Sequence, residues 1–196
     1  MGTQWSVIWN QLKCDGYRIL ALVAIALAGA IAVLWESQRL YMALAGVVAM
    51  VPAAYLDARY YRLYHRLTSG ILAWGIGIAA IMDILGSAYQ LEAALAGMAC
   101  LGGLFLLLYL LTGKLGFGDV CYGAALGTFL GWQGAMLAFV LTFALGMAAA
   151  TREYLYYACH GRWRCRVLPL GPFMAGGAYI TLLWGQEMIG WYIGMC

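Results

Sequence analysis

Long apolar runs separated by short polar stretches dominate the pattern along this chain. Seven such runs are evident, and each predicts a helix that crosses or nearly crosses a bilayer. They extend over Ile19 to Trp35, Leu40 to Leu56, Ile71 to Leu85, Ala93 to Leu111, Val120 to Leu130, Ala135 to Ala150 and Leu168 to Trp184. The pattern therefore predicts an all-α polytopic membrane protein with about seven transmembrane helices.

One membrane-embedded domain accounts for the whole chain in this prediction. Residues 1–18 form a cytoplasmic N-terminal segment, residues 19–184 the helical bundle and residues 185–196 a short C-terminal tail. No small-residue cleavage pattern closes the first apolar run, so we expect that run to remain as a helix rather than to be removed as a signal peptide.

The composition and the placement of charge support a membrane location. Hydrophobic residues make up 65% of the chain and charged residues only 10%, far below the roughly 25% of a soluble domain. With a cytoplasmic N-terminus, the seven spans place ten of the eleven Lys and Arg residues inside and only Arg39 outside, as the positive-inside rule requires. The inside set is Lys13, Arg18, Arg59, Arg62, Arg66, Lys114, Arg152, Arg162, Arg164 and Arg166.

The apolar stretch 120–150 is long enough to form either one helix or two. A single helix would send the basic segment 151–166 to the outside, against the positive-inside rule. We therefore predict a break at residues 131–134, whose sequence is Gly-Trp-Gln-Gly.

The cysteines and histidines indicate neither a metal site nor a disulfide framework. No two cysteines form a CxxC pair, and His65 and His160 stand alone in cytoplasmic loops. The cysteines are Cys14, Cys100, Cys121, Cys159, Cys165 and Cys196, and we expect free thiols. The sequence predicts no metal and no organic cofactor.

Two carboxylates stand at predicted helix boundaries on the cytoplasmic side. Asp57 follows the second apolar run and Asp119 precedes the fifth. An ionised Asp within a bilayer costs about 3 kcal/mol, so such a residue usually faces a protein interior or a wet cavity. Paired carboxylates suit peptide hydrolysis, because one stays protonated while the other activates water. The alternative is that both residues are ordinary helix caps.

Asp119 ends the sequence Gly116-Phe117-Gly118-Asp119, whose two glycines would let the backbone bend tightly beside a substrate strand. This segment is one of three that resemble, in the same order, motifs of the type IV prepilin peptidase family. The resembling stretches are Leu56-Asp57 with Arg59, Leu63, Leu67 and Thr68; Gly116 to Val120 with Ala124-Ala125-Leu126-Gly127 and Gly131; and Leu168-Pro169-Leu170-Gly171-Pro172-Phe173-Met174-Ala175.

The resemblance implies a GxGD-type intramembrane aspartyl peptidase in which Asp57 and Asp119 are catalytic. The implied substrate-positioning residues are Gly116, Phe117, Gly118, Pro169, Gly171, Pro172 and Phe173. By the same resemblance, the enzyme would cut the leader peptide of a type IV prepilin or pseudopilin at the cytoplasmic face of the bacterial inner membrane. Its expected partners are that substrate and the lipid bilayer, with no nucleic acid.

The chain also departs from the family pattern. Cys121 occupies a position where members commonly carry Lys, and Leu63-Tyr64-His65 replaces an Ile-Pro-Asn or Leu-Pro-Asp turn. No segment corresponds to the insert with two CxxC pairs that accompanies N-methylation in longer members, so methylation is expected to be absent.

Two other functions stay open at this level. A presenilin-like or signal-peptide-peptidase-like protease also uses a GxGD Asp and would cut deep inside a substrate helix. A non-catalytic transporter or assembly protein would use the two Asp residues as a proton or ion relay.

Overall fold

A computed structural model describes residues 15–35, 40–61, 63–86, 91–113, 115–159 and 168–194. The described residues form helices joined by short connections. The helices are α1 (Gly16–Leu34), α2 (Leu40–Tyr60), α3 (His65–Ile84), α4 (Leu91–Thr112), α5 (Phe117–Cys159) and α6 (Gly171–Gly194). The predicted all-α architecture is confirmed.

Helix α5 is two helical arms joined at Gly131. The backbone there has φ 69° and ψ 174°, which interrupts the helix and is a conformation that glycine adopts at little cost. We name residues 117–130 arm α5a and residues 132–159 arm α5b. The break predicted from the charge pattern is therefore confirmed, and the described chain contains seven helical segments.

Both arms pack against α4, which shows that the chain reverses at this break. The Phe105 ring of α4 lies against Gly123 of α5a, and its centroid is also 5.4 Å from that of Phe139 in α5b. Near the reversal, Gly97 and Gly127 bring α4 and α5a so close that a side chain on either would collide with the other's backbone. Small residues allow this kind of approach between membrane helices.

Several helices extend beyond the apolar runs that predicted them. Helix α2 continues past Leu56 to Tyr60, so Asp57 lies about one turn before its end, and α3 begins at His65 rather than at Ile71. Hydrophobicity marks the hydrocarbon layer, whereas helical hydrogen bonding continues through the polar interface on either side.

Three predicted boundaries are corrected for the same reason. Asp119 was expected just before the fifth span but lies within the first turn of α5. Residues 185–196 were expected to form a tail outside the bundle, but α6 continues as helix to Gly194. Gly16 to Arg18, assigned above to the N-terminal segment, belong to α1.

By length and composition, the described helices α1 to α5 are long and apolar enough to cross a membrane. Their outward surfaces carry large apolar side chains, such as Ile84, which is 84% exposed. In a bilayer these side chains would contact lipid. The chain is thus a polytopic membrane protein.

The basic residues of the described chain lie at one end of the bundle. They are Arg18, Arg59, Arg66 and Arg152. The other basic residues on which the predicted topology depended, and three of the cysteines, lie outside the described residues. These are Lys13, Cys14, Arg39, Arg62, Lys114, Arg162, Arg164, Cys165, Arg166 and Cys196, together with His160.

Candidate active site

Asp57 lies at the basic end of the bundle, on the last turn of α2. Its side chain is buried, and the residue is only 6% exposed. Its backbone carbonyl accepts a hydrogen bond of 2.8 Å from the N–H of Tyr61. Tyr61 has φ 53°, a left-handed conformation in which helices commonly end. The chain therefore leaves the helix one turn after the carboxylate.

The first turn of α6 anchors the Asp57 carboxylate. The N–H of Gly171 donates a hydrogen bond of 2.8 Å to Asp57 Oδ2, and the positive end of the α6 dipole favours the negative charge. A Cβ atom at Gly171 would lie 2.7 Å from Asp57 Oδ2 and 2.9 Å from Asp57 Cβ, so only glycine fits. Pro172 follows within the first turn, where its missing N–H costs little.

Asp119 is anchored in a similar way at the start of its own helix. The half-buried side chain accepts a hydrogen bond of 3.1 Å at Oδ2 from the N–H of Gly116. The N–H of Asp119 also donates to the Gly116 carbonyl at 3.0 Å, a backbone bond of the first turn, so the side-chain bond to Gly116 corresponds to one half of a capping box. The helix-cap alternative is therefore partly correct, since Asp119 caps α5 while Asp57 caps α6 instead of its own helix.

The fold brings the two carboxylates to the same end of the bundle, within electrostatic reach of one another. Gly118 makes part of this approach possible, because a Cβ there would lie 2.9 Å from the carbonyl oxygen of Leu63 in the α2–α3 connection. Neither Gly116 nor Gly118 has a positive φ, and the helix already begins at Phe117, so Gly118 lies within the first turn of α5 and not at a bend before it. Gly118 is needed for its small size.

The remaining predicted positioning residues surround these two helix starts. The Phe117 ring is half exposed and lies 5.5 Å from the ring of His65 and 5.9 Å from that of Tyr109. Pro169 lies in the segment just before α6, and the Phe173 ring points to Gly146 of α5b. The structure thus places all the sequence-predicted site residues at the same end of the bundle.

Asp15, a third carboxylate at this end, was not singled out from the sequence. It is 5% exposed, although it precedes α1 in a polar part of the chain. Its Oδ2 atom lies 2.9 Å from Nε of Arg59 and accepts a hydrogen bond of 3.2 Å from the hydroxyl of Tyr60. This network fastens α1 to the end of α2 beside Asp57. The sequence feature that could have indicated an ion pair here is the spacing of three residues between Asp15 and Arg18, which places the two side chains on one helical turn.

Tyr122 was also missed. It is fully buried, one helical turn after Asp119, and its hydroxyl donates a hydrogen bond of 2.9 Å to the Met50 carbonyl of α2. Its i+3 spacing from Asp119 placed it on the same face of α5, but its partner on α2 could not be identified from the sequence.

The arrangement suits acid–base chemistry on a peptide bond. Each Asp has one oxygen held by a backbone N–H, and within the described chain the other oxygen of each accepts no hydrogen bond. These oxygens are available to a water molecule and to a substrate carbonyl. Among the described residues, no group of three or more His, Cys, Asp or Glu side chains is placed to hold a metal ion.

Comparison with known proteins gives a consistent result. Residues 42–151 match the type IV leader peptidase family. The chain is 30% identical over 206 positions to a prepilin leader peptidase/N-methyltransferase of Aeromonas hydrophila, covering 96% of this chain and 68% of that protein. It is 30% identical to a protein of the same name from Legionella pneumophila, covering 80% of this chain and 54% of the relative. No solved structure matches the chain with statistical support.

A third relative of the same name, from Burkholderia pseudomallei strain 1026b, is 33% identical over 86% of this chain and 55% of its own length. The chain therefore spans 54% to 68% of the length of these three relatives.

Proposed function

This chain belongs to the type IV leader peptidase family, and we propose that it is an aspartic endopeptidase that removes the leader peptide of a type IV prepilin or a related pseudopilin. Asp57 and Asp119 form the proposed catalytic pair. The observation that carries the proposal is that two carboxylates, one buried and one half-buried, lie at the same end of the bundle, each held by a glycine N–H at a helix start.

In the proposed reaction, the ionised carboxylate takes a proton from water while the protonated one donates a hydrogen bond to the scissile carbonyl. The water oxygen bonds to the carbonyl carbon and gives a tetrahedral gem-diol. Transfer of a proton to the amide nitrogen then breaks the C–N bond, releasing the leader's new carboxyl group and the mature chain's new amine. The reaction consumes one water molecule and needs no further reactant.

The proposed site opens to the cytoplasmic face of the bacterial inner membrane. The support is that Arg18, Arg59, Arg66 and Arg152 lie at the same end as the carboxylates, and such residues accumulate on the cytoplasmic side. In this orientation a substrate would approach along the starts of α5 and α6. The proposed positioning residues there are Gly116, Phe117, Gly118, Pro169, Gly171, Pro172 and Phe173.

The test is co-expression of this chain with candidate prepilins, followed by mass spectrometry of the substrate's N-terminus. We expect a shortened product whose new amine is unmethylated, since this sequence contains no CxxC pair. A cut deep within the substrate's hydrophobic helix would indicate a presenilin-like protease instead, and an uncut substrate would contradict the proposal.

The catalytic pair is tested by Asp57→Asn and Asp119→Asn. Each change should abolish cleavage, and the double variant should lose little more than either single one, because residues that act as a unit are not additive. Thermal melting of the purified variants separates loss of chemistry from loss of fold. Substantial turnover by either well-folded single variant would exclude the pair.

A further inference from the structure

Tyr122 occupies a position that links the two helices of the carboxylate pair. It lies three residues after Asp119, on the same face of α5a, and is the largest of the fully buried side chains among the described residues. It is also within electrostatic reach of Asp57. A phenol this deeply buried needs a hydrogen-bond partner, because leaving its hydroxyl unpaired would carry the full desolvation cost.

The partner of Tyr122 belongs to the helix that carries the other carboxylate. Its hydroxyl donates to the Met50 carbonyl at 2.9 Å, seven residues before Asp57 on α2. Direct packing between α2 and α5 is sparse, whereas α4 and α6 pack extensively along α5. A long side chain with a polar tip therefore bridges these two helices where their backbones do not meet closely.

The bond is also made at a weak point of α2. Pro52 lies two residues beyond Met50, inside the helix, and a proline there removes one backbone hydrogen bond and favours bending. Because Asp57 lies one further turn along, any bend at Pro52 would displace its carboxylate relative to Asp119. Holding the Met50 carbonyl fixes α2 just before this point.

We propose that Tyr122 is a positioning residue whose hydrogen bond to Met50 sets the separation of Asp57 and Asp119. The inference rests on the proposed peptidase function and adds a residue that does not touch the substrate. Tyr122 acts through α2, by fixing the position of the Asp57 carboxylate.

Tyr179 provides a matched control. Its hydroxyl donates a hydrogen bond of 2.9 Å to the Ala26 carbonyl, so it links α6 to α1 by the same kind of bond. Neither of these two helices carries Asp57 or Asp119. Replacing either tyrosine by phenylalanine removes only the hydroxyl and keeps the ring.

The experiment measures kcat, KM and the melting temperature of wild type, Tyr122→Phe and Tyr179→Phe with a purified prepilin in detergent micelles. We expect Tyr122→Phe to lower kcat by about 10- to 100-fold, the loss that a misplacement approaching 1 Å produces, with KM within about twofold. We expect Tyr179→Phe to keep kcat within about twofold of wild type and to shift melting by a similar amount to Tyr122→Phe.

Three results would overturn the inference while leaving the peptidase function intact. They are a kcat for Tyr122→Phe equal to that of Tyr179→Phe, a rise in KM with unchanged kcat, and a loss of activity that only follows the loss of folded protein. Wild-type protein that cleaves no prepilin would instead reject the proposed function itself.

Discussion

Replacing Gly171 by alanine tests the contact that joins α6 to Asp57. The added Cβ would lie 2.7 Å from Asp57 Oδ2, 2.9 Å from its Cβ and 3.0 Å from its Cγ. Carbon atoms in good contact are about 3.5 to 4.0 Å apart, so each distance must grow by roughly 0.5 to 1 Å. Rotating the carboxylate alone does not relieve the contact with Asp57 Cβ. The start of α6 and the end of α2 must therefore move apart.

This movement should affect catalysis more than folding. The hydrogen bond from Gly171 to Asp57 would lengthen from 2.8 Å to beyond about 3.3 Å, where such bonds are weak. Misplacing a catalytic group by about 1 Å costs about 100-fold in rate, whereas overpacking of this kind destabilises a protein by about 1 to 3 kcal/mol. We therefore expect kcat to fall by about 100-fold while most of the protein stays folded.

Gly190→Ala is the matched control for this prediction. Gly190 lies in the same helix, and a Cβ there meets no other atom within 4 Å. Its replacement should leave kcat unchanged and should be neutral or stabilising by up to about 1 kcal/mol, because alanine favours helix. Cleavage of a purified prepilin, followed by mass spectrometry, gives the rates, and thermal melting reports folding. A Gly171→Ala variant that cleaves within about threefold of Gly190→Ala would refute the reasoning.

Two further changes test neighbouring contacts. Gly118→Val should lower the cleavage rate at least tenfold, about 1.4 kcal/mol in activation free energy, because its Cβ would press on the Leu63 carbonyl. Gly70→Val on α3 is the control and should leave the rate unchanged, because a Cβ there meets no atom within 4 Å. Equal cleavage rates for the two variants would contradict the packing argument. Asp15→Asn should destabilise the protein by about 1 to 2 kcal/mol, because it weakens charge-assisted bonds to Arg59 and Tyr60. The loss stays moderate because the Arg59 side chain is partly exposed to solvent. The exposed Asp83→Asn serves as its control, and melting curves that coincide for the two variants would exclude a structural role for the Asp15 network.

Much of the fold could be predicted from the sequence because a bilayer imposes simple rules on a chain. A span needs a long apolar run, its backbone must be helical, and basic residues collect on one side. These rules predicted the helical bundle and the break at Gly131, where length alone would have allowed one helix through residues 120–150. They placed helix ends less well, because hydrophobicity stops at the interface while the helix does not.

The candidate pair could also be identified from the chain alone, because Asp57 and Asp119 interrupt apolar sequence on one predicted side and because their surrounding motifs resemble a known family. The contacts that hold the pair could not be identified in this way. Gly171 meets Asp57 across 114 positions of sequence, and Tyr122 meets Met50 across 72.

The physical reason is that membrane helices are apolar on nearly every face. In a soluble helix, a polar face marks the solvent side and thereby fixes which residues turn inward. In a membrane, lipid-facing and core-facing positions are both hydrophobic, so the sequence does not reveal the rotation of each helix about its axis. The sequence by itself determined that this chain crosses a membrane, where it turns and which acids stand at its basic end. Only the packing of the helices decided that Gly171, Gly118 and Tyr122 are the residues that set where those acids stand.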